Sequence, residues 1–360
     1  MFVALRDLRF AKGRFALMGS VVLLITVLVT MLSGLTAGLA RDNISAIGDL
    51  RADHLVFSGG EGDGKISFSD SRITERAWQG WQDVPGVRAE PLGISMNRLT
   101  FGASGESGAS AALFGVRPGT AAAPAGTAPS AGTVVLSAGL AEESGLKPGT
   151  KVQVAGHPLT VAGTGAASSY SHAPVAWLNL SDWRTISSQG PGQVGTVLAL
   201  STSGGADLAA ADRKLGTTTV ARADAPAAIS SYSAENGSLQ LMRGFLFVIS
   251  ALVIGAFFTV WTIQRRGDVA VLKALGASTG YLLRDALAQA VIVLLLGAGA
   301  GGAIAAAGGL LAQGGVPFVL SAATTVVPVA IMILLGAAGA ALAIRKITSV
   351  DPLTALGASR

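Results

Sequence analysis

Apolar runs of membrane-spanning length punctuate this chain, and the long segment after the first of them follows a different rhythm. The first run covers residues 15–39 and is uncharged between Arg14 and Arg41. The second, within 241–264, holds "GFLFVISALVIGAFFTVWTI", whose twenty residues make roughly 30 Å of helix, the depth of a bilayer core. From residue 286 to 344 there is no charged side chain, which is too long for one span. The stretch "AQGGVPF" in its middle supplies Gly and Pro for a turn. The pattern therefore predicts helices over 281–311 and 319–344.

Between the first two runs the period shortens. "ADHLVFSG", "NRLTFG", "ALFGVRPG" and "GTVVLS" alternate as short strands bounded by turn residues. "SAGLAEESGLKPGT" (Ser137 to Thr150) predicts a helix started by Ser137 and stopped by Gly145. "KVQVAGHPLTVAGTG" predicts a hairpin with Gly156 and His157 at its tip, and "GTVLALS", "ADLAAADRKL" and "TTTVARA" a strand, helix and strand. Arg117 to Gly132, rich in Ala, Pro and Gly, is expected to be flexible. The fold class is then a membrane protein with four transmembrane α-helices and a large α+β extracellular domain, 40–240, between the first and second.

Charge sets the orientation. Residues 41–238 carry a net charge of −3 and the remainder +8, so the basic excess belongs to short segments flanking apolar runs. Arg6, Arg9, Lys12 and Arg14 precede the first span. Arg265, Arg266, Lys273 and Arg284 lie between the second and third, and Arg345 and Lys346 follow the fourth. By the positive-inside rule these clusters are cytoplasmic. That places an amphipathic N-terminal helix (1–14) and a tail (345–360) inside the plasma (inner) membrane, with residues 40–240 outside. This distribution suits contact with membrane lipid and not a nucleic-acid surface. A cleaved signal peptide ending near "GLA" is the competing reading of the N-terminus. Absence of Cys removes disulfides, thiolate nucleophiles and Cys-based metal sites; with three His, no metal site is expected from this protein alone. Gly34 and Gly38 form a GxxxG pair suited to close helix packing.

The wet segment 265–280 is more than a linker. "RRGDVAVLKALGAST" spaces Val269, Leu272, Leu275 and Gly276 three or four apart with basic punctuation, the pattern of a short amphipathic helix. This segment resembles the cytoplasmic loop of the MacB/FtsX-like (type VII) permeases of ABC transporters. The tail "RKITSVDPLTALGAS" resembles that family's closing motif, with Asp351 capping a helix begun by Pro352. "VVLSAGLAEESGLKPGTKVQVAG" is similar to its outer core domain. The resemblance implies that 265–280 is a coupling helix resting on a separate cytoplasmic ATPase subunit, with Arg265, Arg266, Asp268, Leu272, Lys273 and Leu275 as coupling residues. It implies two permease copies with two ATPases, and ATP and magnesium held by the partner. Without the resemblance, a surface helix held by anionic lipid explains the segment equally well. Gly59-x4-Gly64-Lys65 has phosphate-loop spacing, but Ile66 stands where Ser or Thr would hold magnesium. It reads as a turn, and no catalytic residues are expected.

Candidate ligand chemistry gathers at the outer membrane boundary. "YSAENGSLQLMRGF" sets Tyr232, Glu235 and Met242 on one helical face, and Met31 lies about 24 Å along the first span from Phe15 at the helical rise. In a symmetric dimer, the first and second spans of both protomers are expected to bring Met31 and Glu235 together. A thioether, a carboxylate and a phenol in an apolar cleft suit haem, for which Met and Tyr are axial ligands. Packing for Met31, a solvated charge or an Arg243 partner for Glu235, and an interfacial anchor for Tyr232 are the plainer alternatives. The opening "LRDLRFAKGRFALMG" and "MLSGL" resemble the haem-exporting branch of the family, the HrtB-type permeases, which implies lateral export of haem with Met31 and Glu235 as its contacts. A mechanotransmitter, or a lipid- or lipoprotein-moving permease acting on an extracellular partner, is the alternative. His54, His157 and His172 sit in separate segments, with surface or turn roles expected.

Overall fold

A computed structural model describes residues 12–59, 65–102, 106–187, 190, 192–312 and 315–348. Among these, four helices are long and apolar enough to cross a membrane: α1 (Lys12–Gly48), α6 (Ser230–Gln264), α8 (Thr279–Ala312) and α9 (Ala322–Thr348). A short helix, α7 (Arg266–Ala274), separates α6 from α8. The chain forms two units, a helical one (1–38 with 237–360) and an α/β one (39–236). Both α1 and α6 outrun their apolar stretches. The polar "RDNISAIG" that ends α1 contains no residue that breaks a helix before Gly48, and one more turn adds hydrogen bonds without a new nucleation cost. Hydropathy marks where an apolar solvent would end, not where a helix ends.

The α/β unit contains twelve strands and four α-helices among the described residues. Strands β12 (Thr217–Ala221), β1 (His54–Ser58), β11 (Val197–Thr202) and β3 (Val87–Phe101) run antiparallel side by side. Helices α2 (Glu75–Gln82) and α5 (Leu208–Leu215) contribute to a core with them, in which Val56, Trp81, Leu198 and Leu200 are buried. Fifteen residues long, β3 continues into a second arrangement with β4 (Ser107–Val116), β9 (Ala173–Asn179), β5 (Thr133–Leu136), β7 (His157–Thr164) and β6 (Lys151–Val154). Because β6 pairs back onto β3, this sheet closes on itself, which removes its exposed edges. Leu99, Leu113, Val134, Val154, Val161 and Leu178 are buried in one cluster with Trp183 from α4 (Leu180–Ile186). The ring of Trp183 occupies the space a Cβ would take at Gly93 and Gly115.

Several local expectations change. The β6–β7 hairpin pairs Val154 with His157, so its tip is Ala155-Gly156, both with positive φ, and His157 is a strand residue. A two-residue loop of that geometry matches the twist of its strands. The stretch 117–132 is held, not loose: Ala122 and Ala123 are fully buried. Arg51 donates to the Thr120 and Ala123 carbonyls, and the Gly132 amide donates to Asp182. Alanine is small and apolar enough to pack where charge and aromatic residues are both missing. Ser137 precedes helix α3 (Ala138–Ser144), but its Oγ accepts from the Val175 amide, while Gly145 ends α3 in the left-handed conformation as expected.

In the helical unit, glycines bring α1 and α8 together. A Cβ on Gly301 would stand 2.6 Å from the Leu23 carbonyl oxygen, and one on Gly297 would stand 2.9 Å from that of Gly19. The GxxxG pair does not serve this contact. Gly34 receives the Phe318 ring and Gly38 the backbone of Pro317, so the pair makes room for the connection between α8 and α9.

Candidate functional site

The first seven residues of α6, through Asn236, belong to the α/β unit, and they carry Tyr232 and Glu235. Tyr232 is half-buried against the core cluster that includes Phe68, Phe114 and Tyr170. Glu235 is engaged differently. Its Oε2 lies 2.8 Å from His172 Nε2 and accepts from Asn43 Nδ2 at 3.3 Å. Asn43, on α1, is fully buried, and its Oδ1 accepts from Ser231 Oγ at 3.2 Å. Ser231 Oγ and Ser171 Oγ share a hydrogen bond of 2.9 Å, and the Ser171 amide donates to the Asn43 carbonyl at 2.9 Å.

His172 arrives there at a conformational cost. Strand β8 (Ser169–Tyr170) pairs antiparallel with β9, Tyr170 facing Ala173. The two residues between them, Ser171 and His172, have φ of 50° and 62°. Hairpin loops of this kind favour Asn-Gly, because a side chain crowds its own backbone at positive φ. Each such residue costs on the order of 1 kcal/mol or more, offset here by the bonds to Asn43, Ser231 and Glu235. His172 Nε2 also stands 3.0 Å from Asn43 Nδ2, so the imidazole, the amide and the carboxylate meet at one point, and the tautomer of the ring sets which neighbour receives its proton. The turn role expected of His172 is therefore correct, but its partner was missed. That partner lies 63 positions away in sequence, and no local pattern announces it.

Met31 belongs to the helical unit, whereas Glu235 and Tyr232 belong to the α/β unit. Met31 is half-buried, and a Cβ on Gly308 would lie 3.7 Å from its Sδ. Around the coupling segment, Leu275 and Val271 are exposed and Leu272 is on the margin of exposure. Lys273 is half-buried. Arg265 turns inward: its Nη1 donates to Gln289 Oε1 at 2.7 Å and its guanidinium lies over Trp261. Gln289, fully buried on α8, donates in turn to Asp285 at 3.0 Å. Arg266 and Asp268 lie in α7, but their side chains, like the tail motif at Asp351, fall outside the described residues. Residues 60–64 of the phosphate-loop lookalike fall outside them as well.

An apolar helical unit joined to an α/β unit inserted after the first long helix is the arrangement of a membrane permease, and sequence comparison defines the class. Residues 15–218 match the MacB-like periplasmic core domain, and residues 241–352 the FtsX-like permease C-terminal domain. The chain belongs to the MacB/FtsX-like family of ABC transporter permeases. It is thus a membrane protein with four transmembrane helices and an extracellular α/β segment. Among individual proteins it is 25% identical, over 99% of both chains, to a Staphylococcus epidermidis protein named as the hemin transport system permease HrtB. The same identity and coverage hold for the protein of that name in Staphylococcus haemolyticus. An uncharacterised ABC transporter permease of Mycobacterium bovis is also 25% identical, again over 99% of both chains. The periplasmic region of MacB from Actinobacillus actinomycetemcomitans aligns with 51% of this chain and 94% of its own, at 14% identity and a TM-score of 0.36.

Proposed function

We propose that this chain is the permease subunit of an ABC exporter that takes haem from the membrane and releases it outward. The observation that carries the reading is the end-to-end similarity to proteins named for hemin transport. The residue chemistry supports it: a Met thioether such as that of Met31 is an axial haem ligand, and a carboxylate such as that of Glu235 ligates iron in non-haem sites. Tyr232, whose ring packs on the core, is assigned to the wall of the site. The termini and the loop carrying α7 are cytoplasmic by the distribution of basic residues, and ATP and magnesium bind a separate subunit. Two permeases act with two ATPases.

In this mechanism haem enters laterally from the lipid. Closure of the ATPase pair pushes on residues 265–278, where exposed Val271, Leu272 and Leu275 supply a docking face. Arg265, through Gln289 and Asp285, ties the end of α6 to α8, so a push on α7 moves both helices together. The test is a haem titration of the purified, detergent-solubilised protein beside Met31→Ala and Glu235→Ala. A saturable, shifted Soret band is expected, weakened or altered in each variant. Uptake no greater than that of empty micelles sinks the export reading and leaves force transmission, or movement of a lipid or lipoprotein, as the function to pursue.

A further inference from the structure

Resting on that reading of Glu235, the geometry assigns His172 a role of its own. We propose that His172 is a positioning residue which, with Asn43, holds the Glu235 carboxylate so that one oxygen is left free for the iron of the transported porphyrin.

The two carboxylate oxygens are treated unequally. Oε2 receives the His172 imidazole at 2.8 Å and the Asn43 amide at 3.3 Å. Among the described residues Oε1 has no hydrogen-bond partner, and the Glu235 side chain is one-third exposed. A carboxylate tied down through one oxygen cannot rotate freely, and its remaining lone pairs point in a set direction. Ligating side chains in metal sites are held in this way by a second layer of hydrogen bonds, which fixes their orientation and limits the entropy lost on binding. His172 and Asn43 form such a layer around Glu235.

The layer is itself braced. Asn43 is fully buried and cannot swing away, because Ser231 and the Ser171 amide occupy its carbonyl groups. The hairpin tip places both Ser171 and His172 at positive φ. A glycine would satisfy this backbone with less strain, so the histidine is explained by its side chain and not by the turn. His172 is also partly exposed, at 40%, so it contributes little to the core. What it contributes is its contact with Glu235 and, at 3.0 Å, with the Asn43 amide that shares the same carboxylate oxygen.

These facts separate the positioning role from a structural one. His172→Gly relieves the backbone at φ 62° while removing the imidazole. It is expected to melt at or above the wild-type temperature and to bind hemin about 10- to 100-fold more weakly, the usual penalty for losing a second-layer partner. Its Soret maximum is expected to shift as well. His172→Gln, whose amide N–H can replace the imidazole donor, is expected to recover part of the affinity. The experiment is a hemin titration by Soret absorbance on the full-length solubilised permease, with melting curves for each variant and Glu235→Ala as reference. If His172→Gly binds hemin with wild-type affinity and spectrum while Glu235→Ala does not, the positioning role is overturned and the haem reading stands. If the wild type itself takes up no hemin beyond micelles, both fall. Should His172→Gly melt early, His172→Gln decides. A wild-type melt with recovered binding carries the proposal, and a wild-type melt with binding as weak as His172→Gly overturns it.

Discussion

The two units differ in what they leave exposed and in how much of their packing small residues carry. In the α/β unit the bulkiest side chains lie deepest, with Trp81, Trp177 and Trp183 at or near zero exposure. Met96 is the one large apolar side chain exposed there among the described residues. The helical unit also buries large side chains, Phe258, Trp261, Leu294 and Met332 among them, but it leaves many others outside. Leu252, Leu296 and Leu334 are about two-thirds exposed, while the buried positions of α8 include Gly297, Gly301, Gly302 and Gly309. One principle explains both. Around the α/β unit the solvent is water, so apolar area is driven inward and volume fills the core. Around the helical unit the solvent is hydrocarbon, which gives leucine no reason to hide. There, helices hold together by close backbone approach, and small residues permit it.

The sharpest way to break this contrast is to truncate one residue of each kind. Trp183→Ala removes a ring stacked over Gly93 and Gly115 and the hydrogen bond from its Nε1 to Ser95. A loss of about 3–5 kcal/mol is expected in the α/β unit, visible as early proteolysis within 39–236 on heating the full chain. Leu252→Ala, a smaller truncation at a lipid-facing position, should leave the melt in detergent within about 0.5 kcal/mol of wild type, where Leu→Ala at a buried position costs about 2–5 kcal/mol. If both variants suffer equally, the helical unit packs by volume after all.

Enlarging a glycine tests the other side at a smaller scale. Gly301→Val sets a side chain against the Leu23 carbonyl and the Thr26 side chain, so α1 and α8 must part. The expected cost is about 1–3 kcal/mol, read as a lower melting temperature of the solubilised protein. Gly299→Val on the same helix, where a Cβ would meet nothing within 4 Å, is the control and should melt as wild type.

How much of this could be read from sequence divides along the same line. The spans were legible because hydrocarbon selects composition directly, and charge-free runs are long and continuous. The α/β strands were legible where they alternate, as at "GTVLALS", which becomes β11. The closure of the sheet through β3 and β6 was not, because it depends on pairing Leu99 with Val154, far apart in the chain. The same limit hid the Glu235 partner. Glu235 stood out as a carboxylate beside an apolar run, whereas His172 looked like any turn histidine until the fold set it 2.8 Å away. Arg265 was legible as a charge at a helix end but not as a donor to Gln289 on α8.

A smaller test asks whether the α/β unit tolerates charge as poorly as its packing implies. Glu90 on β3 is 14% exposed, and Arg117 Nη1 stands 3.7 Å from its Oε2. Burial raises its pKa above the ordinary 4.5, and the opposing pull of Arg117 and Arg88 does not cancel the effect. An acid whose folded-state pKa is raised stabilises the fold fully only below its unfolded value. That stability is lost as pH climbs through the folded value, because the unfolded chain then ionises more easily. Glu90→Gln removes the ionisation while keeping the shape. At about pH 7 it should therefore raise stability, by less than about 1 kcal/mol because the remaining attraction of Arg117 and Arg88 offsets part of the desolvation cost. Well below the ordinary value of 4.5 wild type and variant are both neutral at this position, and their melting temperatures should converge. A variant less stable than wild type at neutral pH would mean that the Arg117 pair outweighs desolvation, and that this unit accommodates a buried charge better than its tryptophan-filled core suggests.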